Sequence, residues 1–209
     1  MESDRFTLTE YEKASLKNIW ENCSKNAVEG FSGTLSRKIR IESFSIETMV
    51  LNDVPKMLDP EDTSTTVFWV PIKGKINGAV ILCSAYYDIL KMADMLLKME
   101  MGHYKEINEE NISVINDLVY IIVGYYMDFL VKLFEIKMEK PSWSISPYKM
   151  LEFIELGNVY RERIEVLVFQ TKFLITDEDI KGNIVMIFRR EMAESILRAL
   201  SSRVVSSLI

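Results

Sequence analysis

The chain has 209 residues, of which 48% are apolar, and carries a formal charge of −6 with a pI near 5.1. That is enough apolar sequence to build a self-supporting core without disulfides or metals. The negative balance, with no clustered Lys/Arg stripe, excludes a phosphate-tracking surface and so a nucleic-acid partner.

From Met1 to Thr9 the sequence is polar, with no apolar signal core, so a cytoplasmic location is expected. Thr9 to Gly33 then spaces Leu16, Ile19, Trp20, Cys23, Ala27, Gly30 and Phe31 by threes and fours, which predicts a helix with one apolar face. Thr9 or Thr7 is its cap, with Glu10 and Glu12 in the first turn. Lys38 to Met49 predicts a half-buried strand that turns Ile39, Ile41, Ser43 and Ser45 to one side. Pro55, Pro60 and the acids around them predict a loop. Val67–Lys73 and Ala79–Ser84 flank a Lys/Asn/Gly turn and read as a hairpin. Ala85–Met99 is a second amphipathic helix, and His103 after it reads as a surface loop residue. Cys23 and Cys83, both in apolar patterns, read as reduced core residues, as expected in the cytosol.

The same order then recurs. An offset of 99 lays Glu10 on Glu109, Leu16 on Ile115, Ile19 on Leu118, Phe44 on Trp143 and Val67 on Val166. Glu110–Phe134 is predicted as a long buried helix. Leu118–Leu133 within it is too short, and too interrupted by Asp128 and Lys132, for the roughly 20 residues of a membrane span. Ile136–Glu139 and Ser144–Met150 are predicted strands, Gly157-Asn158 a loop, Arg163–Ile175 with Asn183–Arg189 a second hairpin pair, and Glu191–Ser202 a closing helix. The expectation is one domain over 1–209, made of an internal repeat of about 8–99 and 107–202. Its fold class is α+β: two pseudo-symmetric halves, each of helices on antiparallel strands, sharing a sheet.

Ser15–Glu21 and Ser113–Tyr120 stand where the CheC family of CheY-phosphate phosphatases carries its helix motif, an acid followed three positions later by asparagine and, farther on, by proline. Phe68–Ser84 also resembles the family's first hairpin, and the chain as a whole resembles a divergent member with degenerate motifs. The resemblance implies a chemotaxis protein that binds the phosphorylated response regulator CheY. In the family, the acid engages the regulator's lysine and the amide places water in line with its aspartyl phosphate, a hydrolase chemistry in which any Mg2+ is carried by the regulator and the chain needs no cofactor. Residues at i and i+3 share a helix face, which suits that task. The first motif here reads Asn18 and Glu21, the two types exchanged, with Phe44 at the proline position. The second reads Asp117 and Tyr120, with Trp143 at the proline position.

Each candidate has an ordinary reading as well. Asn18, Glu21, Asn22, Lys25 and Glu29 recur as any solvated helix face does. Asp117 lies early in a helix, where the dipole favours an acid whatever its role. Val123, Met127 and Val131 extend the Asp117 face and are either a docking strip or core. Three functions follow: a binder of phosphorylated CheY with weak or absent phosphatase activity, an active phosphatase using Asn18 and Glu21 or Asp117, or a scaffold outside chemotaxis. CheD is a further family partner, although Pro147–Leu151 lacks the acid expected for it. No glycine-rich phosphate loop, metal-ligand cluster or Ser-His-Asp set suggests other enzyme chemistry.

Overall fold

A computed structural model of the chain describes residues 7–58, 65–74, 77–133, 136–153 and 164–206. Helix α1 (Glu10–Leu35) starts at a capping box: Thr9 Oγ1 accepts the Glu12 N–H at 3.2 Å and Glu12 Oε2 accepts the Thr9 N–H at 2.8 Å. It ends where Ser36 turns left-handed (φ 53°), with the Ser36 and Arg37 N–H groups donating to the Gly33 and Ser32 carbonyls. Leu16, Trp20, Cys23, Ala27, Phe31 and Leu35 form its buried stripe.

Strand β1 (Ile39–Val50) follows, then a 3-10 turn (Leu51–Asp53), α2 (Val54–Leu58), β2 (Thr65–Gly74), β3 (Gly78–Ala85), α3 (Tyr86–Leu97) and α4 (Glu109–Leu133). The remainder is β4 (Ile136–Met138), β5 (Ser142–Ser144), α5 (Pro147–Phe153), β6 (Glu165–Ile175), β7 (Ile180–Arg189) and α6 (Arg190–Ser206). The described strands form one antiparallel sheet in the order β1-β6-β7-β3-β2-β4, with β5 also on β2. The two halves meet at the β3–β7 pair, and each lends its first strand to the other: β1 lies on β6, while β4 and β5 lie on β2.

Both sheet faces are apolar, which explains the unbroken runs Val67–Val70, Ala79–Cys83 and Ile184–Phe188. One face, with Phe68, Val80, Leu167, Phe169, Ile184 and Phe188, packs against the stripes of α1, α3, α4 and α6. The other, with Val67, Trp69, Ile81, Val168 and Ile187, packs with Leu51, Val54 and Leu58 and with Met150 of α5. Cys23 and Cys83 are buried and in no disulfide, one in each cluster.

Several sequence expectations are corrected. A bulge at Glu42 shifts the register between Ile41 and Ser43, so core contact passes from Ile39 to the even positions Phe44 and Ile46, and Ser43 and Ser45 turn away. Pro55 is buried in the first turn of α2, where a proline costs no helical hydrogen bond. Ser144–Met150 is not a strand: pairing stops at Ser144, and Pro147 opens α5 for the same reason. Val123 and Met127 are core, so they form no docking strip, and α4 is buried along one side only. Pro60, Gly157 and Asn158 lie outside the described residues.

Candidate functional site

The period of α1 places Asn18 and Glu21 opposite the Leu16–Trp20–Cys23 stripe. Asn18 is exposed and Glu21 half-exposed. Lys17 Nζ lies 3.9 Å from Glu21 Oε1 and 5.9 Å from the centroid of the Phe44 ring. Phe44, the residue at the family's proline position, thus supports a cation that shares the carboxylate's charge. The pair offers an amide and a partly neutralised acid on an open surface.

On α4, Asp117 and Tyr120 are also exposed, Tyr120 to 42%. Asp117 stands eight residues beyond the first residue of its helix, so the dipole, whose effect fades within the first turn, gives it no support. Trp143, at the second proline position, stacks on Phe68 with centroids 6.4 Å apart and stays 38% exposed. The structure therefore keeps each pair together on its own helix, as the spacing requires.

The two helices pack side by side over the sheet, where Trp20 stacks on Tyr126 at 4.9 Å and meets Phe169 at 4.7 Å. The hydroxyls of Ser24 and Thr171 hydrogen-bond at 2.9 Å beneath them. Above this floor an open groove is lined by Asn26, Glu29 and Gly30 of α1 and by Ile121, Gly124, Tyr125 and Asp128 of α4. Sequence reasoning did not single out this groove. Its one sequence signal is the offset of 99, which lays Asn26 on Tyr125 and Glu29 on Asp128.

Among the described residues, no group of three or more His, Cys, Asp or Glu is placed to hold a metal ion. No described helix is long and apolar enough to cross a membrane.

No family model matches the chain, and no curated protein matches it in sequence. Solved structures do match its fold. FliY from Thermotoga maritima superposes with a TM-score of 0.70 at 15% identity, over 94% of this chain and 99% of that one. A chain of the FliG–FliM complex from H. pylori gives 0.66 at 13% identity, over 91% and 100%. A chain of the CheX–CheY–BeF3–Mg2+ complex from Borrelia burgdorferi gives 0.51 at 16% identity, over 81% and 96%. The class defined is the CheC-like α+β fold that FliY, FliM and CheX share. The sequence resemblance to the CheC family holds at the level of that fold.

Proposed function

We propose that the chain is a CheC-like chemotaxis module that docks a phosphorylated CheY-type response regulator on the exposed surfaces of α1 and α4, with weak or absent phosphatase activity. The observation carrying this reading is that both motif pairs lie on outward helix surface while neither presents acid and amide in the family's order. An open surface suits a phosphoaspartate that arrives on another protein. The fold is shared with a chain of the CheX–CheY–BeF3–Mg2+ complex from Borrelia burgdorferi. Catalysis by this route needs water held in line, and placement is its largest contribution. At the first site the residue that takes the amide's place is Glu21, whose charge opposes the phosphoryl oxygens and is only partly offset by Lys17. At the second, the Tyr120 ring extends well past the reach of an asparagine amide. Any Mg2+ in the reaction belongs to the regulator.

The test is the dephosphorylation half-life of a CheY-type regulator, measured with its affinity for the chain. Wild-type chain binds the phosphorylated form and leaves the half-life nearly unchanged, whereas Asn18→Glu with Glu21→Asn shortens it about tenfold, equivalent to about 1.4 kcal/mol of barrier. A wild-type chain that strongly accelerates dephosphorylation, with the effect lost in Asn18→Ala or Glu21→Ala, overturns the weak-activity reading in favour of an active phosphatase. No binding in either phosphorylation state leaves the scaffold reading.

A further inference from the structure

The connection between α3 and α4 gathers side chains that the motif pairs do not use. Among the described residues Met99 and Met101 are the two exposed methionines, at 41% and 40%, while Met92 and Met95 of the preceding helix are core. Two positions beyond Met101 stands His103, also exposed and the single histidine of the chain. Two thioethers and one imidazole thus hold alternate positions of one short surface stretch. The backbone brings its ends together. Met99 donates its N–H to the Asp94 carbonyl at 2.9 Å, and His103 donates to the Asp94 carboxylate at 3.2 Å and to the Glu100 carbonyl at 3.0 Å, so both are tied to one buried residue. Gly102, at φ 81°, supplies the left-handed position of a tight turn from Glu100 to His103, with Met101 at the other central position. Such a turn keeps its end Cα atoms within about 7 Å, and flexible methionine side chains span the remainder.

We propose that Met99, Met101 and His103 form a binding site for a univalent soft metal ion, Cu(I). Thioether sulfur selects soft ions and imidazole suits copper, whereas Mg2+ and Ca2+ call for carboxylate and carbonyl oxygen. Lys105 Nζ stands over the turn, 3.5 Å from the place of a Gly102 Cβ, which opposes a doubly charged ion more than a univalent one. Both cysteines, the softer competitors, are buried in the two core clusters. Asp94 is the positioning residue, since its hydrogen bonds hold the turn in shape before any ion arrives. The site carries neither motif pair and does not rest on the regulator-binding proposal.

The test uses the full chain without oxygen, titrated with Cu(I) kept reduced by ascorbate against the coloured chelator bicinchoninate, and in parallel with Ag(I) as a diamagnetic probe of similar softness. The chain withdraws Cu(I) from the chelator up to one equivalent. Ag(I) shifts the imidazole proton resonances, which in a chain with one histidine belong to His103, and Zn2+ at the same concentration leaves them in place. Met99→Leu with Met101→Leu, and separately His103→Gln, each weaken Cu(I) binding by about tenfold or more, whereas Met138→Leu with Met192→Leu, a half-buried pair, alters it less than about twofold. The loop substitutions are exposed and keep the wild-type circular dichroism. Uptake that survives both loop variants, which would assign the ion to the thiols, equal binding of Zn2+, equal loss in the control pair, or unmoved His103 resonances would each overturn the proposal.

Discussion

The ring of Tyr125 occupies the space that a side chain on Gly30 would need, since a Cβ there would stand 2.1 Å from Tyr125 Cε2. Gly30 lies inside α1, where alanine is favoured by about 1 kcal/mol, and Tyr125 is exposed enough to swing aside. Gly30→Ala is therefore expected to change stability by less than about 1 kcal/mol while moving the Tyr125 ring resonances. Gly182 is the contrast: a Cβ there meets Phe173 Cζ at 2.4 Å and the Cys83 carbonyl at 2.8 Å, inside paired strands that cannot move apart. Gly182→Ala should cost about 1–3 kcal/mol in urea unfolding. A greater cost at Gly30 than at Gly182 would contradict this account.

Asp94 organises the connection between α3 and α4. Fully buried, its carboxylate accepts the backbone N–H groups of Gly102 at 2.7 Å, His103 at 3.2 Å and Tyr104 at 3.1 Å. Asp94→Ala strands the Gly102 and Tyr104 donors, while the His103 N–H keeps the Glu100 carbonyl at 3.0 Å, and the expected loss is about 2–4 kcal/mol. Hydrogen exchange should speed up first at Gly102–Tyr104; unchanged protection there would show that the turn holds without the carboxylate.

Alkali should weaken the fold through two core groups. Burial, and secondly the charge of Asp128, pushes the Cys23 thiol from 9.0 up to about 11, and burial pushes the Tyr126 phenol from 10.0 up to about 12. Both folded values lie above the unfolded ones, so the folded state favours the protonated forms. Their contribution is whole below pH 9.0 and is lost as pH rises through about 11 and 12. Urea midpoints should fall across that range, and less steeply in Cys23→Ala and Tyr126→Phe. A slope unaltered by both substitutions would assign the effect elsewhere.

The exchange of first strands makes the halves interdependent. Cut apart, residues 8–99 leave β1 without β6 and β2 without β4 and β5, so a two-stranded hairpin remains, too little sheet for independent stability. Fragments 8–99 and 107–202 are expected to lack cooperative unfolding singly and to regain it when mixed. A sharp thermal transition in either one alone would refute this. A shared origin of the halves by duplication is our reading of the offset of 99.

Local chemistry is written in the sequence wherever neighbours along the chain supply it. Thr9 with Glu12 makes the start of α1, β2 and β3 pair as the hairpin expected on either side of Gly74 and Gly78, and the helical period put Asn18 and Glu21 outside the core. Periodicity also located the core stripe, because burying apolar area dominates the energetics of each element. It cannot say what covers a face. The bulge at Glu42 reverses which side of β1 is inward, and that follows from register against β6, more than 120 positions away in the chain. Pro147 starts a helix because pairing with β2 ends at Ser144, which no local pattern records. Tyr125 and Met127 belong to the same apolar run, yet one lies open and the other is buried, because the sheet covers only one side of α4. Glu29 and Asp128 became a pair only when α1 and α4 came side by side, so the groove was decided by tertiary packing.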